Sequence, residues 1–203
     1  VTVVDIDPTA QRAPGASSRP WAKERILETA DRLFTDEGIH IVGVDRLISE
    51  SGVTKATFYK HYGAKDTLIF EYISARHEKT KEAVENLVSS AAGPEAAIRA
   101  LVAHIVGELQ REGFRGCAFI NAATEYRDPR HPVRVVVAEH RDWYTSVLFD
   151  LLKQLGHPLP GDGADDFILA RDGAMTGGYA GDSIAVGAAI ERAVDRILSD
   201  AKR

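Results

Sequence analysis

The 203 residues carry a net charge of −5, with 44% hydrophobic and 27% charged side chains, a balance that excludes a disordered chain and a membrane-embedded one. No apolar run approaches the ~18 residues of a membrane-spanning helix, and VTVVDIDPTAQRAPGASSRP places acids where a secretory leader carries a basic start, so the expected compartment is the cytoplasm. The single cysteine, Cys117, excludes an internal disulfide and a multi-cysteine zinc site.

Residues 1–20 hold Pro8, Pro14, Pro20 and Gly15 without periodicity and read as an N-terminal arm. From Trp21 a helical period begins: Ile26, Leu27, Ala30, Leu33 and Phe34 form one apolar stripe that Gly38 is placed to end. Val44, Leu47 and Ile48 predict a short second helix stopping at Gly52, and Thr54 is positioned to cap a third that runs through Tyr62 to Gly63.

A long pattern follows from Lys65 and Asp66 through Leu68, Ile69, Tyr72 and Ile73 to Val88. Pro94 opens a fifth helix through Leu109, and a short one over residues 117–126 breaks at Asp128-Pro129-Arg130-His131-Pro132. Val133, Val136, His140, Trp143, Tyr144, Leu148 and Leu152 carry the next long helix. A loop over residues 156–163 then precedes two last helices, near 164–179 and 183–201. The expected fold is all-α, about nine helices, divided into an arm (1–20), a helix-turn-helix unit (21–68) and a larger C-terminal unit (69–203).

The charge is unevenly placed. Residues 19–70 carry eight Lys/Arg and eight Asp/Glu, residues 71–203 carry sixteen against twenty, and residues 51–65 hold three lysines and no acid. A local cationic stripe on an acidic body points to a localised anion contact. Helix, glycine turn, helix over residues 44–62 is the spacing of a helix-turn-helix, whose second helix enters the DNA major groove. Thr54, Lys55 and Thr57 occupy its N-terminal end, where side chains reach base edges, while Tyr59, Lys60 and His61 are suited to phosphate oxygens. Phe58 and Tyr62, four residues apart, are expected to anchor the helix to the core.

GVTKATFYKHYGAKDTL, preceded by RILETADRLFTDEGI, resembles the N-terminal DNA-binding domain of the TetR family of bacterial repressors, over about residues 25–68. Ile48 and Ser51 depart from the alanines common there, and Ala64 replaces a frequent capping serine, so the fourth helix is expected to start less firmly. The resemblance implies that Thr54, Lys55, Thr57, Tyr59, Lys60 and His61 face DNA and that Lys65 binds a phosphate, with Gly43, Val44 and Arg46 as neighbours on the backbone side. It also implies a C-terminal unit that binds a small-molecule effector and forms a homodimer through residues 164–201, on a palindromic operator of double-stranded DNA. Gly173, Ala174, Gly177, Gly178, Ala180, Gly187, Ala188 and Ala189 fit close helix approach there, against a second subunit or within the chain.

Candidates for the effector pocket are the polar or reactive groups among apolar neighbours: Cys117, Phe119, Asn121, Glu125, Tyr126, His140, Trp143, Tyr144, Met175 and Tyr179. For each, plain core packing is the competing reading. Cys117 is either an inert buried thiol or, with Arg115 nearby in sequence, a thiol sensor. A small helical enzyme using Cys117 or His140 is the alternative from another class, but no phosphate loop, nucleophile elbow or zinc-helix motif supports it. The expectation is therefore a ligand-responsive regulator, most often a repressor in such a family, with no catalytic activity, cofactor or metal.

Overall fold

The computed structural model describes residues 21–201; the expected N-terminal arm lies outside the described residues. These form nine α-helices and no strand. The first, α1 (Ala22–Glu37), buries Ile26, Ala30, Leu33 and Phe34 along one stripe, and Glu24 accepts the Trp21 N–H at 3.0 Å to close its first turn. α2 (Val44–Ser51) ends at Gly52, whose φ of 63° is left-handed and lets Val53 N–H return to the Ile48 carbonyl at 3.4 Å. Ser51, where a relative's alanine was anticipated, is buried because its hydroxyl donates to the Leu47 carbonyl at 2.6 Å.

α3 (Lys55–Tyr62) is capped by Thr54, which accepts the Thr57 N–H. α4 (Lys65–Ser90) follows from Ala64, which supplies no side-chain cap, as the sequence anticipated. This helix is continuous across residue 68, joining the three-helix head to the body as one rod. Its buried residues Leu68, Ile69, Tyr72 and Ile73 sit near the head and Val84 sits in the body.

The body consists of α5 (Pro94–Leu109), α6 (Ala118–Glu125), α7 (Pro132–Gln154), α8 (Pro160–Ala180) and α9 (Ser183–Asp200). The valine-rich VRVVVA segment is helical because Val133 and Val136 belong to the buried 3.6-residue stripe of α7. α8 starts at Pro160 rather than near 164, so the preceding loop is shorter than expected: Pro160 occupies the first turn, where its missing N–H costs nothing.

α7 packs on α4, α5, α6 and α8, and α8 runs against α9. The small residues divide between two uses. A Cβ on Gly178 would stand 2.7 Å from the Leu109 side chain, and one on Gly187 would stand 3.4 Å from Val106, so these glycines let α8 and α9 approach α5 within the chain. Gly173, Ala180 and Ala189 are instead exposed. No described helix is long and apolar enough to cross a membrane.

Candidate nucleic-acid interface and ligand cavity

α3 is amphipathic in a particular sense. Phe58 is fully buried and Tyr62 nearly so, with the Tyr62 hydroxyl donating to the Lys23 carbonyl of α1 at 2.9 Å. Burial pushes the Tyr62 hydroxyl's pKa well up, with the charge of Glu71 adding to it. With two aromatics pinned inward, Thr54, Lys55, Tyr59, Lys60 and His61 are left exposed, and Thr57 is half-buried. The Thr54 and Thr57 hydroxyls lie 2.9 Å apart, so the residues at the leading turn also hold the cap together. α3 contains no acid.

The flanking residues are less free. Gly43 is exposed and extended, and Val44 half-buried, at the start of α2. Arg46 is exposed but held between Glu37 of α1 and Glu50, 2.8 Å away on its own helix, and Glu50 also pairs with Arg32. The Lys65 ammonium lies 3.5 Å from the His40 carbonyl and over the Phe34 ring. Burial lowers its pKa, with Glu125 and Asp66 opposing. Both side chains are thus engaged by partners within the chain.

His40 belongs to the turn between α1 and α2, and that turn is tied to the body. The Glu125 carboxylate, at the end of α6, accepts the Ile39 and His40 N–H groups at 3.1 and 2.8 Å, and the His40 imidazole lies 3.1 Å from the Glu125 carbonyl. Sequence reasoning placed Glu125 in a pocket; it also connects α6 to the head. Tyr126 is buried beside it, its ring stacked on His131 and its hydroxyl unpartnered, and burial pushes that hydroxyl up to about 12.

Two adjoining cavities open around α6. One, of about 380 Å³, lies beneath the head and touches Cys117, Phe119, Asn121, Glu125, Tyr144, Met175 and Tyr179, seven of the ten residues anticipated from sequence. The other, of about 590 Å³, lies between α6, α7 and α8 and is lined by Phe119, Ile120, Val137 and Ile168, with Cys117, His140, Tyr144 and Arg171. Both volumes fall within the range of small-molecule sites. Trp143 and Tyr126 line neither; Trp143 packs edge-on against His77 and Tyr144.

His140 is 4% exposed, its ring stacked on Phe119 at 3.6 Å. Its Nδ1 lies 3.0 Å from His77 Nδ1, while its Nε2 is buried without a partner. Burial, with Arg171 and His77 adding to it, pushes its pKa down to about 3, so the imidazole is neutral at neutral pH. Cys117 lies 3.6 Å from the Arg171 guanidinium, which also sits over the Tyr144 ring and pairs with Asp172 at 3.0 Å.

Sequence reasoning missed Arg171, the Asp172 it shares with Arg141, and His77, which contacts His140. A signal was present: Arg171 falls four residues after Phe167 and four before Met175, so it stands on the buried stripe of α8. Among the described residues no group of three His, Cys, Asp or Glu side chains is arranged to hold a metal ion.

An all-α chain with a short polar helix presented beyond a glycine turn, carried on a larger cavity-bearing body, defines a helix-turn-helix regulator. Residues 26–72 match the profile of the family described as "Bacterial regulatory proteins, tetR family". The crystal structure of SCO4454, a TetR-family transcriptional regulator from Streptomyces coelicolor, is 37% identical. It superposes with a TM-score of 0.87 over 90% of this chain and 96% of that one. The HTH-type transcriptional regulator LmrA of Bacillus subtilis is 26% identical over 137 residues, 66% of this chain and 73% of LmrA. A TetR regulator structure from Streptomyces avermitilis, 21% identical over 88% of this chain and 98% of its own, shares the fold with a TM-score of 0.76. The chain belongs to the TetR family of bacterial transcriptional regulators.

Proposed function

We propose that the protein is a ligand-responsive repressor that binds a palindromic operator as a homodimer and is released by a small-molecule effector. The observation that carries this reading is the double role of α6: its residues Phe119 and Thr124 line both cavities, and its last residue, Glu125, holds the turn behind the reading head. A ligand that wedges α6 outward changes the support of α2 and α3, and it shifts the equilibrium only by binding the DNA-incompetent arrangement more tightly.

In this reading residues 21–68 form the DNA-binding unit and residues 69–203 the effector and dimerisation unit, acting in the cytoplasm where the DNA is. Thr54, Lys55 and Thr57 address base edges. Tyr59, Lys60 and His61 address phosphates, joined by Lys65 and Arg46 once they swing from their internal partners, and Gly43 and Val44 bring backbone close to the strand. The dimer forms on the outer face of α8 and α9, where Leu169, Ala180, Ile184 and Ala189 are exposed.

The test is selection of bound duplexes from random sequence, followed by affinity measurements across a salt series. The expected product is a sequence with two-fold symmetry whose log affinity falls linearly with log salt, at a slope of roughly −0.9 per phosphate contacted. Lys60→Ala is expected to weaken binding on all sequences alike and to reduce that slope by about one. Recovery of no symmetric sequence would remove the operator reading.

A further inference from the structure

The cavity between α6, α7 and α8 has an unbalanced electrostatic lining. Its lining contains two guanidiniums, Arg141 and Arg171, and one acid, Asp172. That carboxylate serves both arginines, accepting from Arg141 on one oxygen and from Arg171 on the other at 3.0 Å. Arg171 is the more deeply held of the two, with 11% of its side chain exposed against 54% for Arg141. Its other neighbours are the Cys117 sulfur and the Tyr144 ring, and burial holds the Tyr144 hydroxyl above its ordinary range, so that phenol brings no negative charge at neutral pH. A desolvated guanidinium is stable where anionic acceptors meet its planar fork. Here half of one shared carboxylate does so.

His140 supplies the second, independent observation. Its Nε2 is buried and unpartnered on a residue that lines the same cavity. Stacking on Phe119 fixes the ring plane, and the 3.0 Å contact between the Nδ1 atoms of His77 and His140 fixes the options for the proton. When His77 donates, His140 Nδ1 accepts and the single proton of the neutral imidazole sits on Nε2, making it an unpartnered donor just behind the cavity wall. Most of the remaining wall is apolar, with Phe119, Ile120, Val137 and Ile168, and Thr124 and Thr176 add two hydroxyls.

We propose that this cavity takes a compact apolar molecule bearing a single carboxylate, which Arg171 binds through its free N–H groups while His140 Nε2 donates to the same oxygen pair. This rests on the effector reading above and assigns the chemical class of the effector. Arg171 also borders the neighbouring cavity under the head, so what separates the two is the rest of the lining. There Arg76 is taken by Asp31 and Thr35, Arg111 pairs with Glu108, and Asp36, Glu37 and Glu125 bring acids to the rim, whereas His140 lines only the cavity between α6, α7 and α8.

The experiment is isothermal titration calorimetry of the full chain with benzoate, 2-naphthoate, indole-3-acetate and octanoate, each against its primary amide. The expected result is at least one acid bound tenfold or more tightly than its amide. Arg171→Gln is expected to abolish that preference, and Arg171→Lys to restore part of it. Arg130→Gln, which removes the same charge from a side chain 90% exposed in the loop before α7, is expected to keep it. His140→Phe, which preserves the stack on Phe119, is expected to weaken acid binding by several-fold. Far-ultraviolet circular dichroism confirms that each variant is folded.

Amides binding as tightly as acids, an Arg171→Gln protein that still prefers acids, or failure of every acid in the panel would overturn the proposal. The operator assay is read separately. An acid that binds through Arg171 but does not release DNA leaves the ligand class standing and removes its role as effector. Failure to bind DNA specifically leaves the calorimetric result intact.

Discussion

Single side chains in this molecule often serve two purposes, and Thr54 is the clearest case. Its hydroxyl caps α3 by accepting the Thr57 N–H at 3.1 Å, at the same turn proposed to meet base edges. Thr54→Ala is expected to lower folding stability by about 1 kcal/mol, whereas Thr54→Ser keeps the cap; urea unfolding of the two variants separates the cap from any effect on DNA affinity. His140 makes a different prediction. Its folded-state pKa of about 3 lies below the ordinary value of 6.5, so between these limits the unfolded chain binds a proton that the folded chain refuses. Stability from this residue is therefore complete above pH 6.5 and lost as pH falls toward 3. Between pH 7 and pH 5 the loss is about 2 kcal/mol. The difference in urea-unfolding free energy between wild type and His140→Gln across those two pH values measures it, and equal slopes for both proteins would refute it.

Among the helices, α6 has the largest consequence for its length. Its eight residues separate two cavities, and its last carboxylate holds two backbone N–H groups of the head. Glu125→Ala removes two charge-assisted hydrogen bonds worth roughly 1.5–3 kcal/mol each at most. The expected outcome is a protein that still binds operator, more weakly, and has lost most of the change in DNA affinity on adding ligand. Titration of operator with and without a ligand that releases the wild type checks this, and an undiminished response would show that α6 signals by another route. How much of this was legible in the sequence follows from the range of the interactions involved. The stripes of α1 to α5 and α7 are local periodicity, and Phe58 and Tyr62 declared the inner face of α3 because two aromatics four apart point the same way. The pairing of Arg171 with Cys117 spans 54 residues and the Glu125 clamp spans 86 and 85. The partners in such contacts leave no local pattern; the spacing of Arg171 from Phe167 and Met175 marks it as lying on the buried stripe of α8, but nothing local pairs it with Cys117. The glycines of α8 and α9 were legible as a demand for close approach, but whether the neighbour is α5 or a second subunit depends on the tertiary arrangement.

For the molecule as a whole, two reading heads on one face of a duplex must stand about 34 Å apart or a multiple of that, which makes the α8 and α9 surface decisive. Leu169 on α8 and Ile184 on α9 are 71% and 73% exposed, and Ala180, Ala185 and Ala189 are exposed on the same two helices. Isolated exposed apolar residues need no explanation, but a patch drawn from two adjacent helices is the usual mark of a protein interface. Burying it against a symmetry-related copy would remove on the order of 800 Å² from each partner in a stable dimer. A charge at its centre is a sharp probe because the two subunits would bring two copies of it together. In a chain that never self-associates, Leu169→Asp and Ile184→Asp change only solvated positions and should shift stability by no more than about 0.5 kcal/mol. In a dimer built on this face, each buries two carboxylates in an apolar seam, and the double variant is expected to sediment as a monomer at micromolar concentration. Its affinity for a two-fold symmetric operator should then fall to that for a single half-site, because linking two heads is what raises the effective concentration of the second. Sedimentation velocity alongside operator titration distinguishes the cases: a double variant that remains dimeric and binds the full operator as before would move the subunit contact to another surface.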